Sequence, residues 1–178
     1  MAPYESHERV AFFVERFSVA TKETFEVALE RQSRYAPIIH AKLRAGGLPE
    51  DMIYLPLIES WYDPNAYSRA AAVGMWQFMT STARGVGLRV DWWIDERRDP
   101  VRATEGAVAH LNELRSDFGS VYLAAAAYNG GAGRVSRGLA QHAVALEGTV
   151  GDDLFFALLD QKALRAETRD YVPKLIAA

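Results

Sequence analysis

Apolar residues in this chain recur at the spacing of helices far more often than at that of strands. Val10, Phe13, Val14 and Phe17 follow the i, i+3, i+4, i+7 interval that places side chains on one helical face. A second helix is expected from about Thr21, with Phe25 and Leu29 on one side. A third is expected with Pro37 in its first turn and Gly46-Gly47 at its end. From Leu48 the pattern changes. Pro49 opens a short, very apolar segment, residues 52–58, which runs into Glu59-Ser60 and then a loop with Asp63-Pro64-Asn65. Residues 74–84 predict another helix, closed by Gly85 or Gly87. Asp99-Pro100 combines an N-cap residue with proline at the first helical position, and Val101, Val108, Leu111, Leu114 and Phe118 then descend one face to Gly119. Ser120 caps an alanine-rich helix that ends at Asn129-Gly130-Gly131. Further helices are expected over 132–141 and 152–164, and a last one from about Thr168. No stretch alternates at period two with β-branched residues. The expected fold is therefore mainly α, with residues 1–47 as a helical lead-in packed on a domain formed by residues 48–178.

Composition changes this picture only by exclusion. A chain of 178 residues with 49% hydrophobic and 24% charged residues can bury a proper core and is not disordered. A net charge of -3 argues against nucleic acid as the partner, since phosphate-binding surfaces carry excess Lys and Arg. Without cysteine there are no disulfides or thiolate metal sites. His7, His40, His110 and His142 lack metal-ligand spacing, so neither a metal nor a cofactor is expected. The first residues lack the basic-then-apolar pattern of a signal peptide, and no apolar run is long enough to span a membrane. No exposed heptad seam is visible, so the default is a monomer. Residues 95–99, Asp-Glu-Arg-Arg-Asp, read as a solvated charge run with internal ion pairs.

Glu59 carries the most information. The seven residues before it are uncharged and Trp61-Tyr62 follow, so its carboxyl is expected against apolar walls. Burial there penalises the ionised form and raises the pKa, which is what a general acid protonating a glycosidic oxygen requires. Tryptophan and tyrosine also suit the C–H faces of sugars. The competing reading is a solvated glutamate at a helix end. Gln77 stands among Met75, Trp76, Phe78 and Met79. Its amide would match a sugar N-acetyl group, or it simply bonds backbone within a core. Tyr128 and Asn129 are held at a tight corner by Gly130 and Gly131, either toward a ligand or as a helix C-cap with an Asn-Gly turn. Tyr171 could fold back onto a carboxyl, or anchor a terminal helix in the core.

Taken in order, Glu59-Ser60, Ser68, Gly74-Met75-Trp76-Gln77-Phe78-Met79 and Ala127-Tyr128-Asn129-Gly130-Gly131 resemble the family 1 lytic transglycosylase (SLT) domain. Asp91-Trp92-Trp93, Arg97-Arg98-Asp99 and the tail from Glu167 to Leu175 are most similar to the membrane-bound lytic murein transglycosylase D group. The resemblance covers residues 48 to the end and, more weakly, the lead-in. It implies a lysozyme-like helical fold, related to goose-type lysozyme, with a groove for the glycan strands of peptidoglycan. It implies cleavage of the β-1,4 bond between N-acetylmuramic acid and N-acetylglucosamine, and hence a periplasmic or cell-envelope location. Carried over residue by residue, Glu59 is the acid/base. Ser68, Gln77, Met79, Tyr128 and Asn129 line sugar subsites, and Tyr171 sits near Glu59. Gly74 lets the glycan or a neighbouring backbone come close, and Ser60 helps orient the reacting groups. Relatives often carry Ser or Ala where Gly130 stands.

No second acid is embedded as Glu59 is, because Asp63 falls in a proline loop and reads as a turn residue. A hydrolase needs such a second carboxylate. With Glu59 as the single acid, the substrate's acetamido group can stabilise the developing cation while Glu59 acts as acid and then base, giving a 1,6-anhydro product without water. A true muramidase on the same frame and a non-catalytic peptidoglycan-binding module are the alternatives.

Overall fold

The computed structural model describes residues 3–178. Nine α-helices, joined by short 3-10 turns and loops, account for its architecture among the described residues. α1 (Glu8–Glu15) is capped by the His7 imidazole, which accepts from the Arg9 amide, and runs into a π-helical turn, Arg16–Ala20. Val10, Phe13 and Phe17 are buried as the spacing predicts, whereas Val14 faces outward. Phe17 stacks on Phe25 and meets the edge of Trp61, which fixes this lead-in beside the chain that follows Glu59.

The second and third expected helices are one. α2 (Lys22–Ala45) continues through Pro37. Proline removes a single intrahelical hydrogen bond, and the fully buried Ala28, Ile39 and Leu43 on either side of it hold both halves in the same core. Leu29 lies on the exposed side, one position round from Ala28.

Residues 50–54 form a 3-10 turn leading into α3 (Leu55–Ser60), with Leu55, Pro56 and Leu57 buried. This short helix stops because Trp61 and Tyr62 both adopt left-handed conformations, φ 54° and 60°. Such φ values are strained for bulky residues. Tyr62 holds its own by being completely buried and donating its hydroxyl to the Ile53 carbonyl.

The helix expected over 74–84 is only partly there. α4 (Thr80–Gly85) is helical, but residues 74–78 form a tight turn instead. Isolated antiparallel bridges pair Val73 with Tyr67 and with Phe78. Gly74, at φ +83°, is pressed so close to the chain that an added Cβ would lie 1.9 Å from the Arg97 carbonyl oxygen. Helical geometry cannot pass that point.

α5 (Pro100–Phe118) begins with the Asp99 carboxylate accepting from the Val101 and Arg102 amides. Its buried face is Ala103, Thr104, Ala107, Leu111 and Leu114, and Val101 is partly exposed on the first turn. α6 (Val121–Gly130) is the central helix, capped by Ser120. Its alanines 124–127 are all buried, so α5 and the C-terminal helix pack closely on it. α7 (Ala132–Gln141) and α8 (Asp153–Asp160) follow, the latter shorter than the 152–164 expected. α9 (Ala166–Ala177) returns to pack against α1, α3 and α6. No helix among the described residues is long and apolar enough to cross a membrane.

Residues 95–99 are not a solvated charge run. Arg97 is only 6% exposed. Its guanidinium pairs with Asp95 at 2.8 Å and donates to the carbonyls of Ala71 and Phe78 and to the Thr80 hydroxyl. The desolvation cost is met by partners on three separate segments. Trp92 and Trp93 project from the neighbouring hairpin, 90% and 85% exposed. The Asp91 carboxylate stiffens that hairpin by accepting from the Trp93 and Ile94 amides.

Candidate functional site

Glu59 occupies the last turn of α3, directly before the left-handed pair that ends the helix. The residue as a whole is half-buried, but its carboxyl is enclosed, and Oε1 accepts a 2.5 Å hydrogen bond from the Tyr171 hydroxyl of α9. Burial raises its pKa from 4.5 to about 7. The Tyr171 hydrogen bond opposes that rise, the nearby Glu167 charge adds to it, and Lys174 counters it. The carboxyl therefore stands near the midpoint of titration at neutral pH.

Two tyrosines lie beside it, Tyr171 buried and Tyr128 half-buried. The phenols of Tyr171 and Tyr128 are pushed well above their ordinary pKa, by burial first and by the Glu59 charge second. Both remain neutral hydrogen-bond donors. Tyr128 donates to the Trp76 carbonyl at 2.8 Å, and Ser60 Oγ donates to the Met75 carbonyl at 2.9 Å. These two bonds tie the end of α3 and the end of α6 to the same turn, the one that displays Gln77 and Met79. Trp76, fully buried, anchors the turn from below by donating its indole N–H to Thr104.

The remaining expected residues divide. Gln77 is half-buried, sits at φ 51° and donates to the Gly74 carbonyl at 2.7 Å, so part of its amide serves its own turn. Met79 is 43% exposed at the turn's edge. Ser68 Oγ accepts from the Ala72 amide and closes the 68–72 loop, which pairs with the same turn through Val73. Gly74 is occupied by the Arg97 backbone. Asn129 Oδ1 accepts from the Thr168 hydroxyl at 2.9 Å. Asp63 is a turn residue, with its carboxylate on the Asn65 amide. The structure thus brings Tyr171 onto the Glu59 carboxyl and Tyr128 within reach of its charge, while Ser60 and Tyr128 bond the turn that carries Gln77 and Met79. Ser68, Gly74 and Asn129 shape the surrounding backbone.

Sequence reading missed Thr168 and Arg97. Thr168 lies three residues before Tyr171 and so shares its helical face, a signal that was available. Arg97 enters only as part of the Arg97-Arg98-Asp99 resemblance, because nothing in a run of mixed charges distinguishes the one that will be buried.

The arrangement can hold one proton on a carboxyl, release it near neutral pH and keep the resulting anion hydrogen-bonded. Residues 36–146 match the transglycosylase SLT domain family. Over 148 residues the chain is 35% identical to membrane-bound lytic murein transglycosylase D of Escherichia coli strain K12. That alignment covers 83% of this chain but 31% of the relative, so the chain spans about a third of that protein's length. Among solved structures it resembles the 70 kDa soluble lytic transglycosylase of Escherichia coli, with a TM-score of 0.66 at 23% identity over 79% of this chain and 22% of that one. It also resembles lytic transglycosylase Slt of Pseudomonas aeruginosa, with a TM-score of 0.61 at 24% identity over 78% of this chain and 22% of that one. The fold is therefore the mainly helical, lysozyme-like one, and the chain belongs to the transglycosylase SLT domain family.

Proposed function

We propose that residues 48–178 form the catalytic unit of a peptidoglycan lytic transglycosylase that works as a monomer on glycan strands in the cell envelope. The observation that carries this reading is the enclosed Glu59 carboxyl, with a pKa of about 7 and a phenol at 2.5 Å. One group that acts first as an acid and then as a base must populate both forms at the working pH. The 35% identity to a lytic murein transglycosylase supports the same reading.

In the proposed reaction Glu59 gives its proton to the oxygen linking N-acetylmuramic acid to N-acetylglucosamine, and that C–O bond breaks. The substrate's 2-acetamido group stabilises the positive charge at C1. Glu59, now an anion held by the Tyr171 hydroxyl, takes the proton from the muramyl 6-hydroxyl as its oxygen bonds to C1. The proton lost in the first step is regained in the second, so water is not consumed. Ser60 holds the end of α3 to the Met75 carbonyl and thereby aims Glu59. In this reading Ser68, Gly74, Gln77, Met79, Tyr128 and Asn129 form or frame the sugar subsites.

A muramidase is the second reading, and Glu167 is the observation that favours it, because its charge reaches Glu59. A water-activating base would need that carboxylate poised over C1. Mass spectrometry of fragments released from purified peptidoglycan separates the two. The lyase gives products lighter than the hydrolytic ones by one water. Products retaining that water would refute the proposal, as would undiminished turnover by Glu59→Gln.

A further inference from the structure

Against the net charge of -3, one cavity of this protein is strongly basic. It has a volume of about 200 Å³, lies between α7 and the segment leading into α9, and is lined by Arg134, Arg137, Arg165, Gln141, Gly130 and Thr168 with no Asp or Glu. Arg134 is fixed in place by donating to the Gly130 carbonyl at 2.8 Å. Arg137 and Arg165 extend from different elements toward the same space. The three arginines are exposed at the cavity's rim, where their paired N–H groups can donate to an anion seated between them.

One helix connects this cavity to Glu59. Thr168 of α9 lines the cavity, and its hydroxyl donates to Asn129. It also sits so close to Gly130 that a Cβ there would fall 2.7 Å from Thr168 Oγ1. Three residues further along α9, a rise of about 4.5 Å, Tyr171 reaches Glu59. An extended peptide advances about 3.3–3.6 Å per residue, so three residues cover the roughly 10 Å thickness of a helix.

We infer that this cavity is a subsite for the carboxylates of an acidic peptide borne by the glycan, gripped by Arg137 and Arg165 with Thr168 and Gln141 as neutral partners. This rests on the peptidoglycan reading, since that polymer presents peptide beside the scissile bond. The anion is a carboxylate on a peptide rather than a free phosphate.

The test uses the whole chain and a synthetic acidic wall peptide without sugar, followed by calorimetry. The peptide binds wild type, and binding weakens as salt is raised. It falls about tenfold or more in Arg137→Gln/Arg165→Gln, the scale of one lost charge-assisted contact. The same peptide with its carboxylates amidated does not bind. The variant's unchanged thermal midpoint shows that it is folded, and on peptidoglycan its KM rises while kcat holds. Equal binding by wild type and variant, or equal binding of the amidated peptide, overturns the inference. Inorganic phosphate binding tighter than the peptide assigns the cavity to a phosphate-bearing ligand and overturns it too. The two readings fail separately. Arginine-dependent peptide binding without anhydro products removes the lyase and keeps the subsite. Anhydro products with arginine-independent binding do the reverse.

Discussion

Glu59→Gln should make the protein more stable, and only above the pH at which the carboxyl ionises in the unfolded chain. The native state raises the pKa of Glu59 from 4.5 to about 7. Below 4.5 the group is protonated whether the chain is folded or not, and it costs nothing. Between these values the unfolded chain ionises first, so stability falls as pH rises, and above about 7 the whole cost is present. At about 1.36 kcal/mol per unit, the shift amounts to about 3 kcal/mol. Glutamine keeps the acceptor for Tyr171 and carries no charge, so it escapes this cost. For a domain of this size that energy is a rise in melting temperature of roughly 6 to 12 °C. Thermal unfolding of both proteins at about pH 5 and about pH 8.5 isolates the effect, because any offset from repacking an amide is common to both and cancels. About 0.8 kcal/mol of the cost is already present at the lower pH, so the variant's advantage should be about 2.5 kcal/mol larger at the higher pH. Equal differences at the two pH values would mean that the Glu59 carboxyl is not held out of water in the native state, and the argument for it as an acid would fall with that.

Tyr171→Phe removes the bond that lowers the Glu59 pKa, so the pH–rate profile should move to higher pH. Losing a charge-assisted hydrogen bond of about 1.5–3 kcal/mol should slow turnover roughly 10- to 100-fold; a profile that does not move would contradict the contact. Glu167→Gln removes a like charge and should shift that profile to lower pH while the products stay anhydro, whereas abolished turnover would favour the hydrolase. Gly74→Ala combines a φ of +83° with a 1.9 Å approach to the Arg97 carbonyl, and should cost at least about 2 kcal/mol in denaturant unfolding.

What the sequence revealed and what it concealed divide along a physical line. Helical faces and caps are legible because each depends on residues within a few positions. The seven uncharged neighbours of Glu59 make an enclosed carboxyl one of two local readings, the other being a solvated glutamate at a helix end, and only the order of distant motifs favours the first. Tyr171 was legible only as a possibility, because its bond to Glu59 spans 112 positions. Pro37 misled for the same reason: local propensity says a helix starts there, and the tertiary core overrides it. The turn at 74–78 was hidden because Met75, Trp76 and Phe78 would suit a helix equally well. Only the Arg97 carbonyl pressed against Gly74 decides the matter, and that contact is unreadable from either segment alone.

The Arg97 clamp also governs motion. The helical side of the site is stiffened by its own ladders, but the opposite wall has only isolated bridges and borrows its rigidity from one guanidinium held by residues 71, 78, 80 and 95. Those four positions cannot be released one at a time, since losing any partner leaves a buried charge under-satisfied. The wall should therefore open as a single cooperative unit in native-state hydrogen exchange, while α5 and α6 stay protected until the whole molecule unfolds. On the proposed reading, a glycan strand beside Glu59 meets one wall that is fixed and one that is released only as a whole.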